Sequence, residues 1–282
     1  MNSLQGKKCL ITGASSGLGL AVTKLFAEYG AEVIMLCRDK NKGEAAVSSI
    51  LQENPGAKIE LELADLASFK SIYSFIERFK MKHSNLDILL NNAAILKSKV
   101  DKTIDGYETM FQVNYLSPFI ITNSLISLMK SGLESKIINI TLPPKKLQLD
   151  FNNLQSLENF KPMDYLFKTK LCLFLYSIEL SARLKQSNIT VISGVPNNKP
   201  FKSELGREMP ILMRLAMTLI STNVDKVAGN ILYHATSNNT KSGFIFSGKK
   251  EIPMIPYWKN TDVRNQLWNQ TELMIENKPI AN

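Results

Sequence analysis

Cysteine is scarce in this chain: Cys9, Cys37 and Cys172 are the whole complement among 282 residues, an odd number, widely separated, with two of them inside apolar runs. That excludes a disulfide framework and fits buried free thiols in a reducing compartment, so a cytoplasmic location is expected. Histidine is scarcer still, and His83 and His234 stand too far apart to form a metal site. No apolar run approaches the length of a bilayer span, and Met1 to Gly6 lead straight into an apolar segment, leaving no room for a signal peptide. Acidic residues are in the minority, 25 against 34 basic ones, for a net charge of +9. The aromatics do not interleave with the lysines as a base-stacking surface would need, so nucleic acid is not expected as a partner. The positive field suits the arrival of an anionic cofactor, peripheral contact with an acidic membrane surface, or a merely solvated basic face.

What is present is an ordinary globular composition, 44% hydrophobic and 21% charged, over a length that one core can hold, so a single domain spanning 1–282 is expected. The most informative stretch is the glycine-rich turn from Thr12 to Gly19. Lys8 to Ile11 before it suits a buried parallel strand, and Leu20 to Ala27 after it has helical spacing that ends at Gly30. In that context Gly13 takes backbone angles that a Cβ forbids, Gly17 lets the main chain approach a pyrophosphate, and Gly19 permits close packing of helix on strand. The free amides of the first helical turn, through Ser15, Ser16 and Leu18, then face the anion.

A second strand, Ala31 to Cys37, ends with Cys37 where an acid would hold the adenosine ribose hydroxyls, and Arg38 follows. A guanidinium fork there grips a 2′-phosphate, which favours NADP(H) over NAD(H); the alternative is a surface arginine in a charged loop with Lys40 and Lys42. Asn41 to Gln52 reads as a helix stopped by Asn54-Pro55-Gly56, Ile59 to Leu63 as the third strand, and Ser68 to Lys82 as a helix. Asp65 and Leu66 stand at that strand's carboxyl end, where Asp65 can meet an adenine amine or cap the helix. The fourth strand, Leu86 to Leu90, runs into Asn91-Asn92-Ala93-Ala94.

The turn at Thr12 to Gly19, Asp65-Leu66 and Asn91 to Ala94, in this order and spacing, resemble the short-chain dehydrogenase/reductase family. Arg38-Asp39-Lys40, Asn114 within Phe111 to Leu116, Phe151 to Leu154 and Leu267-Trp268 resemble its retinol dehydrogenase-like branch, and the likeness runs to about Met274. The resemblance implies an α/β fold: a single Rossmann-type, doubly wound parallel sheet of about seven strands flanked by helices. It implies a nicotinamide cofactor beside Asn92 and Ala93, a small hydrophobic substrate, and a homodimer through the helices around Met110 to Met129 and Leu171 to Leu184. It also implies a catalytic Asn-Ser-Tyr-Lys tetrad with Asn114 and Lys170 as members. There the tyrosine is the proton donor, the lysine holds the nicotinamide ribose, the serine orients the substrate oxygen and the asparagine anchors a water.

Three places depart from that pattern. The fifth strand, Lys136 to Leu142, puts Leu142 at the serine position, with Thr141 one residue before it and Pro143-Pro144 after it. In the next helix the tyrosine position, four residues before Lys170, is Leu166, while Tyr165 stands one residue early. Because each helical residue turns about 100°, Tyr165 does not share the Lys170 face unless the first turn slips. After the sixth strand, Ile189 to Ile192, the usual Pro-Gly and threonine are replaced by Pro196-Asn197-Asn198. The methionine-rich stretch Phe201 to Ile220, within a segment around 197–222, corresponds to the family's substrate cover or is an amphipathic core helix, and a seventh strand lies near Gly243 to Phe246. The tail from about 253 is expected to close the pocket. Two readings follow: an NADP(H)-dependent oxidoreductase of a hydrophobic carbonyl, alcohol or activated alkene that recruits Tyr165 or Thr141, or an NADP(H)-binding pseudoenzyme acting as sensor or partner.

Overall fold

The computed structural model describes residues 3–129, 134–142, 147–155, 160–195, 197, 223–238 and 240–276. Strand β1 (Lys8–Thr12) leads through the glycine turn into α1 (Gly17–Glu28), followed by β2 (Glu32–Cys37), α2 (Lys40–Glu53), β3 (Lys58–Leu63), α3 (Phe69–Lys82) and β4 (Ile88–Asn91). Next come a short helix α4 (Thr109–Phe111), a π-helical segment Gln112–Leu116 and α5 (Ser117–Met129), then β5 (Ser135–Ile140), α6 (Pro162–Arg183) and β6 (Ile189–Val195). The chain continues with α7 (Val224–Thr236), β7 (Phe244–Ser247), β8 (Lys250–Glu251), α8 (Pro256–Lys259) and α9 (Thr261–Glu276).

The sheet order is β3-β2-β1-β4-β5-β6-β7-β8. The first seven of these run parallel, as the resemblance implied, and β8 adds a short antiparallel edge that makes the sheet eight-stranded. Alternation along the strands feeds two cores. Leu10, Ile34, Leu36, Leu89 and Ile137 face α3, α5, α6 and α9, whereas Ile11, Val33, Met35, Leu90 and Ile138 face α1, α2 and α7. Winding reverses between β1 and β4, and doubly wound sheets hold their ligands at the carboxyl ends of such a pair.

Residues after 253 form α8 and α9, which dock on α6 and the π-helical segment. Trp258 packs edge-on to Phe174 with ring centroids 4.9 Å apart, and Trp268 lies against Phe119 at 5.0 Å and Tyr176 at 5.6 Å. Arg264 joins this seam through a buried ion pair with Glu179 at 3.3 Å and a bond to the Trp258 carbonyl at 2.8 Å. The expected cover segment around 197–222 lies outside the described residues apart from Asn197, as do Pro143-Pro144, Pro196 and Asn198. Among the described residues no helix is long and apolar enough to cross a membrane.

Candidate active site

The glycine turn has the geometry its sequence asks for. Gly13 and Gly17 have φ of +67° and +54°, in the left-handed region that side chains rarely enter. A Cβ on Gly19 would sit 2.2 Å from the Gly13 carbonyl oxygen and 2.7 Å from Asn92 Nδ2, so helix, turn and β4 meet there without room for a methyl. At the head of α1, Ser16 is extended, its side chain makes no capping bond and the first turn holds no acid. The leading amides of a 12-residue helix are thereby left to an outside anion. Ser15 lies beside Cys37, whose thiol is pushed up by burial against bonds from Ser15 and Ala14. Leu18 sends its side chain into the core.

Asn92 and Ala93 serve this turn from β4. The Asn92 amide nitrogen Nδ2 donates to the Thr12 carbonyl at 2.9 Å, and the backbone N–H groups of Asn92 and Ala93 both donate to Thr12 Oγ1, at 3.0 and 2.9 Å. Asn92 therefore holds the turn in place. Arg38 is exposed at the end of β2, directly before Asp39, which caps α2 by accepting from the Lys42 N–H at 3.1 Å. Asp65 accepts from the Ala67 N–H through Oδ1 at 2.9 Å, and the Leu66 carbonyl accepts from Ser117 Oγ at 2.7 Å. The second carboxylate oxygen of Asp65 stays available at the strand end.

Behind this nucleotide half a buried polar chain ties the sheet to α5 and α6. Asn91 Nδ2 donates to Thr122 Oγ1 at 3.0 Å and to Asn139 Oδ1 at 2.7 Å, and Asn139 Nδ2 donates to Ser177 Oγ at 2.8 Å. Asn114 sits in the π-helical segment, fully buried, and clamps Ile95: its Oδ1 accepts from the Ile95 N–H at 2.8 Å and its Nδ2 donates to the Ile95 carbonyl at 3.0 Å. Its Nδ2 also reaches Thr169 Oγ1 at 3.2 Å.

Two stripes of α6 divide the remaining residues. Lys170 and Ser177 face the sheet, Lys170 Nζ donating to the Ile140 carbonyl at 3.0 Å. Leu166, four residues before Lys170, belongs to that stripe and is buried. Tyr165 and Thr169 face the other way, toward Asn114 and α4. The Tyr165 ring packs on Phe160 at 5.3 Å, and its hydroxyl lies beside the buried Glu108 carboxyl, without a well-formed hydrogen bond on Tyr165 OH or Glu108 Oε1. Burial first, and then the Glu108 charge, push the Tyr165 hydroxyl far above its usual range. Burial likewise raises the Glu108 carboxyl. Lys170 thus reaches the end of β5 at the peptide that leads into Thr141, and Tyr165 lies on the other stripe of α6.

Lys170 is buried with no carboxylate beside it, and burial alone lowers its ammonium to about 8. Thr141 extends the pairing of β5, its N–H donating to the Gly194 carbonyl at 2.8 Å. Continued alternation puts its side chain on the side of Asn139, facing α6, and Thr141 Oγ1 is buried without a hydrogen-bond partner. Leu142 also packs against the α6-side core, so the strand alternation ends there. Glu108 and Thr169 were not signalled by the sequence motifs. Glu108 is visible only as a cap, accepting from the Phe111 N–H through Oε2 at 2.7 Å, and its contact with Tyr165 spans two distant segments.

Comparison with known proteins agrees with this geometry. A family model described as short chain dehydrogenase matches residues 7–142. Retinol dehydrogenase 14 of Mus musculus is 33% identical, with 96% of this chain and 86% of that protein covered, and retinol dehydrogenase 12 of Homo sapiens is 31% identical, with 94% and 85% covered. Among solved structures, an uncharacterised protein from Mycobacterium paratuberculosis superposes with a TM-score of 0.76 at 22% identity, over 100% of this chain and 97% of the other. A short chain dehydrogenase from Burkholderia cenocepacia in complex with NADP superposes with a TM-score of 0.68 at 22% identity, over 88% and 98%. A nucleotide turn at the switch point, a polar chain behind it and relatives matched over nearly their full length lead to one conclusion: the chain belongs to the short-chain dehydrogenase/reductase family, in its retinol dehydrogenase-like branch.

Proposed function

We propose that this chain binds NADP(H) at the carboxyl ends of β1 and β2 and acts as an oxidoreductase on a hydrophobic carbonyl, alcohol or activated alkene without the family's tyrosine acid. The observation that carries the reading is the pairing of an uncapped α1 N-terminus with a glycine turn that a single methyl on Gly19 would break. The residues present fit the cofactor. Amides from Ser15 to Gly19 hold the pyrophosphate, Arg38 the 2′-phosphate, Asp65 the adenine amine, and Lys170 the nicotinamide ribose. Bound there, the nicotinamide supplies a hydride donor or acceptor.

Phosphate selection by Arg38 separates NADP(H) from NAD(H). Losing one charge-assisted contact costs about 1.5–3 kcal/mol, roughly a 10- to 100-fold change in affinity. Titration followed by the fluorescence of bound NADPH tests this. The expected result is NADPH binding that weakens by that factor in Arg38→Ala, with NADH unaffected; equal binding of both cofactors before and after the substitution would refute the role of Arg38.

Leu166 on the Lys170 stripe and Tyr165 against Glu108 favour a second reading, a nucleotide-binding member without turnover that serves as sensor or partner. NADPH binding without oxidation in the presence of hydrophobic aldehydes, ketones and enals would select it. A homodimer built on α5 and α6 would have to accommodate α9, which already covers Phe119 and Tyr176.

A further inference from the structure

We propose that Lys170 is itself the proton donor to the substrate's carbonyl oxygen, with the Thr141 hydroxyl orienting that oxygen. This rests on the NADP(H)-dependent reading above.

Four observations point to it. One helical turn before Lys170, on the same stripe of α6, stands Leu166, a buried carbon side chain with no proton to give. Tyr165, the nearest tyrosine in sequence, is turned toward Glu108 on the other stripe of α6, and the adjacent Thr169 hydroxyl donates to the Leu166 carbonyl. Lys170 Nζ has a single acceptor, the Ile140 carbonyl at 3.0 Å, so two of its three N–H bonds are uncommitted in a buried position. The next residue along the strand is Thr141, whose buried hydroxyl has no partner and lies on the same side of the sheet. An ammonium and an unpartnered hydroxyl, joined through one peptide unit at the ligand-binding end of β5, form a two-donor site for a single oxygen.

The chemistry balances without a further group. In the reductive direction the substrate carbon gains a hydride from the reduced nicotinamide and the C=O π pair moves to oxygen. Lys170 Nζ–H breaks as the O–H bond forms. Lys170 is left as a neutral amine and is reprotonated by water; the net change is one hydride and one proton added to the substrate. An α,β-unsaturated carbonyl follows the same course with hydride arriving at the β-carbon, and the resulting enol tautomerises.

Charge around Lys170 leaves its titration to burial. Glu108 on the turn before α4 faces Tyr165, and Glu179 is paired with Arg183 and Arg264 toward α9. Tyr115 in the π-helical segment faces Cys172 and Thr271 and is held well above its usual range, and Cys172 on α6 is pushed up to about 12 by burial. No charged side chain of β5 or β6 faces it, since Lys136 lies at the opposite end of β5 against the last turn of α7.

The test has two readouts. In protein labelled with [13Cε]lysine, the resonance missing from Lys170→Met should titrate near 8, against 10.5 for an ordinary lysine. NADPH oxidation with nonanal and with trans-2-nonenal should be flat below that midpoint and fall about tenfold per pH unit above it, as the acid form is lost. Lys170→Arg keeps the charge but does not release a proton, so it should retain NADPH binding within about tenfold and lose reduction by a hundredfold or more. A midpoint above 10, a pH-independent rate, full activity in Lys170→Arg, or loss of reduction in Tyr165→Phe would each overturn the proposal. NADPH binding with neither probe reduced would overturn it and leave the nucleotide site standing, whereas failure to bind NADPH would sink the parent reading as well.

Discussion

Replacing Lys170 with methionine should make the protein more stable at neutral pH while removing its proposed chemistry. Burial lowers the Lys170 ammonium from 10.5 to about 8, and at about 1.36 kcal/mol per unit the charged form costs roughly 3 kcal/mol in the folded state. Methionine fills a similar volume without that charge. It also forfeits the donor to the Ile140 carbonyl, which takes back about 1–2 kcal/mol, so a net gain of about 1–2 kcal/mol remains at pH 7. For a chain of this size that is a rise of a few degrees in Tm.

The sign with pH follows from proton counts. Below about 8 the lysine is protonated in both states and the penalty is complete; between about 8 and 10.5 the unfolded chain binds more protons, so wild-type stability rises; above 10.5 the penalty is gone. Urea unfolding of wild type and Lys170→Met at pH 7, 9 and 10.5 measures the difference, in which the other titrating groups largely cancel. The advantage of the variant should shrink and reverse across that range. A variant that is less stable at pH 7 by as much as at pH 10.5 would refute the assignment of an uncompensated buried charge.

Other outcomes follow from the same geometry. Gly19→Ala forces a methyl into the Gly13 carbonyl at 2.2 Å and should cost about 2–4 kcal/mol in urea unfolding and abolish NADPH binding measured by calorimetry. Asn92→Ala removes the 2.9 Å bond to the Thr12 carbonyl and should weaken NADPH at least tenfold through the turn. Arg264→Met leaves Glu179 with Arg183 as its remaining partner and should cost about 3 kcal/mol, with Trp268 fluorescence reporting release of α9 before global unfolding.

Most of the fold was legible because its signals are local. Lys8 to Ile11, the glycines that follow and the apolar spacing of α1 lie within about 20 residues of one another, and strand, turn and helix formed where those signals stood. The 100° rotation between Tyr165 and Leu166 could be drawn from helix geometry alone, and the structure places Tyr165 off the Lys170 stripe. What turns Tyr165 into the core was not legible, since Glu108 lies more than fifty residues away and meets it only through tertiary packing. Strand β8 has two residues, too few for any periodicity, and follows a turn at Gly248 with φ of +60°. The tail after 253 was read as a pocket closure; its packing of Trp268 and Arg264 on α6 is set by partners that no local pattern reveals.

The most direct measurement is a crystal structure of the NADPH complex. The account expects the pyrophosphate on the amides of Ser15 to Gly19, the 2′-phosphate against Arg38, and Lys170 reaching the ribose with Leu166 still beside it and Tyr165 still against Glu108. A nucleotide bound elsewhere, or Tyr165 swung round to meet Lys170 at the nicotinamide, would contradict it.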